Sequence, residues 1–358
     1  MPTKFPELGF YTLPGHTRTP RDMFTELRDA EALGLGSAWI SERFDVKELG
    51  ALAGAAAAVT DEIFIGSGAT NLPIRHPVVT AGMASTLHRL SQGRFALGLA
   101  RGIGIRFELW GIPKTTNAQM RDFVAIMRKL WKGERVVNYD GPLGKFPYLH
   151  LNDWLEEEIP LLFFGWGPKS LEFAGSVFDG VVLHTFLSDE ALARAVAHVR
   201  RGAENAGRDP AAVKVWSLLA TACDVSEEQY LEKMIARMAT YMQAPGHGEL
   251  LVAAHDWDPG VLEAFRQHPV VRSIPGGIDS SATLDQLREI AKLIPEEWLP
   301  AAVGTAEECA ARFVDQFEAG ADGIVIHAST PQEFKPVLDA YSKVRPQDRF
   351  AGRTNRPV

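Results

Sequence analysis

Cysteine is scarce in this chain. Only Cys223 and Cys309 occur among 358 residues, with no CxxC pair and no histidine cluster near either. That excludes a disulfide framework and reads as two reduced, buried thiols in a reducing compartment, so a cytoplasmic protein is expected. Long apolar runs are missing too. The longest small-apolar stretch, GALAGAAAAV at 50–59, is too short to span a bilayer, and MPTKFPELGFYTLPG at the start lacks the apolar core of a secretion signal. There is no basic run. With 37 basic and 45 acidic residues the formal charge is -8, which favours solubility and gives nucleic acid nothing to bind. No HExxH, EF-hand loop, zinc knuckle or GxSxG elbow is present, so neither a metal site nor an acyl-transfer site is expected.

What the chain does have is alternation. Its composition, 46% hydrophobic and 23% charged, is that of a globular protein. Strand-like runs at 9–13, 37–40, 63–68, 94–100, 161–166, 180–186, 213–225 and 323–329 alternate with amphipathic helical stretches. Several helix starts are marked: Thr19 before Pro20, and Thr305 and Thr330 each with Glu three residues on, which is a capping box. Eight β-then-α units predict an α/β fold, a closed (β/α)8 TIM barrel in one domain spanning 1–358. The rival, a doubly wound open sheet, would carry a glycine-rich turn after its first strand, and TLPGHTRTP is not one. Two insertions interrupt the rhythm. After strand four, ERVVNYDGPLGKFPYLH at 134–150 reads as a hairpin turning near Asp140 and Gly141. After strand seven, 226–304 is too long for a connection and is expected to cap the barrel mouth or to join subunits.

A barrel of this kind places its site at the C-terminal ends of its strands. The fifth strand ends in Gly165-Trp166-Gly167-Pro168-Lys169-Ser170, where glycines and a following helix N-terminus suit an anion. A tight strand-to-helix turn reads the same residues. After strand two come Glu42 and Arg43, a local ion pair or chemistry. After strand six comes His184, a core histidine or a site residue. His76, before Pro77, reads as a helix cap. The third strand, IFIGSGATNLPIRHP, drops its apolar pattern after Ile65. Either this is an ordinary turn, or it leaves room for something flat.

The stretches AEALGLGSAWISERF, IFIGSGATNLPIRHPVVTAG, LHRLSQGRFALGLARG, MRKLWKGE and GWGPKSLEFAGSVFDGVVL together resemble the luciferase-like flavin and deazaflavin oxidoreductase superfamily, from the first strand to about residue 207 and again at GADGIVIH. GATN before RHP and the GWGPKS turn are most similar to the branch that uses the deazaflavin coenzyme F420. The resemblance implies a non-prolyl cis peptide at Gly68–Ala69 behind the central ring, with Asn71 at the ring's polar edge. It implies the cofactor phosphate on Gly165, Gly167, Pro168 and Lys169, and the strand ends add Arg101 and Trp166 to the cofactor set. It implies hydride transfer to or from a small organic substrate, with Glu42, Arg43 and His184 as candidates to polarise or protonate it, and a homodimer. Two alternatives stay open: a reduced-FMN, oxygen-using monooxygenase, and a non-catalytic flavin-binding relative. The sequence departs from the branch's sugar-phosphate dehydrogenase. Ile103 stands near that enzyme's acid helper, with Glu108 further on. Arg43 stands where it has histidine, and no phosphate-binding lysines or arginine can be placed in 226–304.

Overall fold

The computed structural model describes residues 4–17, 19–44, 46–102 and 104–358. Eight parallel strands, β1 Phe5–Tyr11, β2 Leu35–Ile40, β3 Phe64–Ser67, β4 Phe95–Ala100, β5 Leu161–Phe164, β6 Gly180–Val182, β7 Lys214–Cys223 and β8 Gly323–His327, pair in chain order. The ring closes where β8 pairs with β1, Leu8 beside Ile324 and Phe10 beside Ile326. The strands are apolar and buried almost throughout because helices cover the outside and side chains fill the inside. Alternation divides them between two layers. Trp39, Phe64, Leu162, Val182, Trp216 and Val325 point into the barrel, while neighbours such as Ala38, Ile65, Leu161 and Ile324 pack under the helices. The indoles of Trp39 and Trp216 sit 6.1 Å apart at the axis. Glycine makes room for each: a Cβ at Gly66 would lie 2.3 Å from the Trp39 ring, and one at Gly323 2.5 Å from that of Trp216.

The outer helices are α1 Met23–Leu33, α2 Leu49–Val59, α3 Pro77–Leu90, α4 Asn117–Trp131, α5 Pro168–Val177, α6 Asp189–Asn205, α7 Ala306–Glu318 and α8 Pro331–Val344. Their starts follow the expected chemistry. Thr305 Oγ1 accepts from Glu308 N at 3.3 Å while Thr305 N donates to Glu308 at 2.7 Å. Thr330 N donates likewise to Glu333, and His76 Nδ1 accepts from Val78 N at the head of α3. α1 begins later than expected, because Pro20–Asp22 form a 3₁₀ turn behind Thr19.

Two expectations are corrected. β1 begins four residues earlier than the predicted 9–13, ends at Tyr11 and includes a buried Glu7, whose charge hides the strand pattern; Arg345 and Tyr341 of α8's end satisfy it. Of the two thiols only Cys309 is buried; Cys223 is half-buried, with its Sγ 3.5 Å from Asp224. The 134–150 insertion is an antiparallel hairpin, Val136–Gly141 with Gly144–Leu149. The 226–304 segment is a run of short helices around its own apolar cluster, which includes Met234, Met242, Leu262, Phe265 and Trp298. It ends in a strand, Ala302–Gly304, added in parallel to the end of β7. Among the described residues no helix is long and apolar enough to cross a membrane.

Candidate active site

A cavity of about 790 Å³ opens at the C-terminal ends of the strands. Every candidate named from the sequence lines it: Glu42, Arg43, Gly68, Ala69, Asn71, Arg101, the run Gly165–Lys169 and His184. Ile103 lies outside the described residues. Glu108 is exposed beside Lys114 and does not line the cavity.

One wall comes from the end of β3. The Gly68–Ala69 peptide is cis. Tyr11, from the end of β1, donates its hydroxyl to Gly68 O at 2.6 Å, and burial keeps that phenol protonated. A Cβ at Gly68 would lie 2.8 Å from the Tyr11 oxygen, so the side-chain space at Gly68 belongs to Tyr11. Asn71 is tied by Nδ2 to Ala100 O at 2.9 Å, which leaves its amide oxygen and second N–H uncommitted among the described residues. The Glu42 carboxylate is fully buried. Arg75 grips both of its oxygens, one contact being 3.0 Å, and Thr70 donates to it as well. Glu42 therefore pins the segment that follows β3. Arg43 donates to Gly15 O at 3.1 Å and bridges to Lys47 through backbone bonds at 3.0 and 2.8 Å.

The opposite corner is glycine-lined. Gly167 has φ +85°, and a Cβ there would meet only Leu250, at 3.8 Å. Its carbonyl accepts from Ser170 N and Leu171 N at 3.0 Å, starting α5. Pro168 takes the first helical position, where a missing N–H does no harm. Arg101 reaches across from β4 to Ser170 Oγ at 2.9 Å and to Asn117, with its guanidinium 5.4 Å from the Phe163 ring.

Between these walls stands a set of flat rings. Trp166 stacks on His184 with centroids 4.3 Å apart. His184 Nδ1 lies 2.8 Å from Thr185 O, and its Nε2 lies 2.9 Å from Nε2 of His247. Tyr241 stacks on His247 at 5.0 Å. Burial pushes His184 down to about 3 and lowers His247, so both imidazoles are neutral. His327, at the end of β8, is likewise held neutral by burial. Its Nδ1 is buried without a hydrogen-bond partner among the described residues.

The family model described as luciferase-like monooxygenase matches residues 7–323. The chain belongs to that family. Among its relatives is a 5,10-methylenetetrahydromethanopterin reductase of Methanolobus tindarius, 27% identical over 301 residues, covering 83% of this chain and 86% of the relative. Another is an F420-dependent glucose-6-phosphate dehydrogenase of Amycolatopsis mediterranei, 25% identical over 353 residues, covering 93% and 96%. In solved structures the fold matches the coenzyme F420-dependent tetrahydromethanopterin reductase of Methanopyrus kandleri, with TM-score 0.76, 19% identity, and 96% of this chain and 99% of that one covered.

This luciferase-like chain has features that fit a flat redox cofactor with an anionic tail. The Gly167 corner is open where a side chain would intrude, Lys169 and Arg101 stand beside it, and His327, whose buried Nδ1 has no partner among the described residues, contributes to the lining. Sequence reasoning missed six residues. Tyr11 and His327 sit at strand ends and were reachable by the strand-end rule applied to β1 and β8. Arg75 is set apart only by its partner Glu42. Arg237, Tyr241 and His247 come from the insertion, which has no family pattern to read.

Proposed function

We propose that this protein is an oxidoreductase that moves a hydride between coenzyme F420 and a small organic substrate. The observation that carries the reading is the joining, in one cavity, of the Gly68–Ala69 wall with the glycine corner at Gly165–Gly167, in a chain some of whose relatives carry F420 in their names. The deazaflavin supplies the hydride chemistry. Gly165, Gly167, Pro168 and Lys169 hold its phosphate, with Arg101 alongside. Gly68, Ala69 and Asn71 back and edge its ring, and Trp166 stands beside it. Arg43 orients and polarises the substrate, Glu42 fixes the wall through Arg75, and His184 belongs to the proton-handling side.

The 226–304 insertion caps the mouth and excludes water, as its contribution of Arg237, Tyr241, His247 and Leu250 to the cavity lining supports. The protein works as a homodimer in the cytoplasm, a state checked by light scattering on the purified protein. Equilibrium fluorescence titration of the apo-protein with F420 and with FMN tests the cofactor. F420 is expected to bind the tighter, and tighter FMN binding would replace this reading with an oxygen-using one. Bleaching of the F420 absorbance on adding substrate then reports turnover.

A further inference from the structure

Two neutral imidazoles carry two N–H protons between them. His184 Nδ1 faces Thr185 O at 2.8 Å. A carbonyl only accepts, so one proton sits on that nitrogen. His184 Nε2 is then a lone pair, and the 2.9 Å contact with His247 Nε2 takes the second proton, donated by His247. Both nitrogens of His184 are thus engaged within the protein. The one atom left over is Nδ1 of His247, a lone pair with no hydrogen bond among the described residues. His247 lines the cavity. Its ring is fixed from two sides, by Tyr241 stacked at 5.0 Å and 18° and by Trp166 at 5.0 Å.

We propose that His247 is the residue that accepts the substrate's proton, through Nδ1, and that His184 is a positioning residue that sets its tautomer and orientation. This rests on the hydride-transfer reading above. An acceptor nitrogen selects a substrate with an O–H on the carbon to be oxidised, an alcohol. The O–H bond breaks and its electron pair becomes the second C–O bond, as the carbon gives up a hydride to the oxidant named above. The proton forms a new N–H bond at Nδ1. His184 from the end of β6, Trp166 from the corner and Tyr241 from Ala236–Gln243 meet His247 directly; of the charged groups, Arg237 and Lys169 line the same cavity and Glu249 follows on its own helix. Arg237 is held by Asp279 at 2.8 Å and Glu249 by Arg266. Burial lowers His247 below its ordinary 6.5, so the accepting form prevails at neutral pH.

Two-bond ¹H–¹⁵N imidazole spectra of the whole chain test the tautomers without any cofactor. A proton on His184 Nδ1 and on His247 Nε2 is expected; a proton on His247 Nδ1 in the neutral protein overturns the assignment. The variant His247→Gln keeps an N–H toward His184 but cannot take up a proton. With F420 and isopropanol or cyclohexanol, kcat is expected to fall by about 10²-fold or more. The rise of kcat/KM with pH should vanish, while F420 affinity and the His184 tautomer stay unchanged. An unchanged kcat, or a loss confined to KM or to F420 affinity, overturns the role. His247→Asn serves the same comparison if thermal melting shows the first variant to be misfolded. If the native protein binds F420 yet oxidises neither alcohol, the alcohol assignment falls. If it does not bind F420, the hydride-transfer reading falls, while the spectra still decide the tautomers.

Discussion

Arg75 approaches Glu42 and Glu48 together, and the Glu42 carboxylate has no exposure of its own. Removing the guanidinium leaves that carboxylate buried and unpaired. Arg75→Ala is therefore expected to lower unfolding free energy by about 3–5 kcal/mol, read from urea unfolding at neutral pH. At Gly68 the decisive neighbour is Tyr11. A methyl group 2.8 Å from its oxygen forces the phenol aside and strains the wall of the cavity. Gly68→Ala should destabilise by about 1–3 kcal/mol in thermal unfolding and weaken F420 binding, whereas Ala at the half-buried Gly54, where a Cβ meets nothing within 4 Å, should do neither. The two positions differ in how far the sequence reveals them. Gly68 stands in a strand that has lost its apolar pattern, which is visible locally. Arg75 reads as part of an Arg-His-Pro helix start, because the carboxylate that gives it a role comes from the end of another strand.

Helices show the same contrast between local and distant causes. α5 and α6 cross so closely that a Cβ at Gly202 would lie 1.9 Å from Glu172 O and one at Gly175 2.0 Å from Val199 O. Such a contact cannot be relieved by turning a side chain. Gly202→Ala should push the helices apart at a cost of about 1–3 kcal/mol. It should also weaken F420 binding, since α5 carries the glycine corner at its head; calorimetric melting and fluorescence titration check the two effects. Helix starts were legible because a cap and its partner lie three residues apart. β1 was displaced in the reading because Glu7 is satisfied by Arg345, 338 positions away. The insertion's ring cluster was not legible at all. Tyr241 and His247 gain meaning only when their helices fold back over His184 and Trp166.

For the molecule as a whole, the charge state of its buried histidines sets a pH dependence. His184, His247, His255, His88 and His327 all have folded values below the ordinary 6.5, chiefly through burial. The unfolded chain binds their protons first. Stability is thus full above about pH 6.5 and declines as pH falls below it, continuing toward the folded value of about 3 at His184. Denaturant midpoints measured from pH 8 down to 4 should fall steadily below the upper part of that range; a flat profile would contradict the buried, neutral assignment. The barrel itself was the most legible feature, since eight repeats of one period outweigh an error in any single strand. What surrounds its mouth was the least legible, because each such residue answers to neighbours from other elements.

The closing pair of strands has a consequence for how the molecule comes into being. Leu8 meets Ile324, so during synthesis β1 has a free edge until β8 emerges. Any site built on the rim of that cylinder exists only once its seam is shut, and slow synthesis or a break before β8 leaves an adhesive edge exposed to other nascent chains.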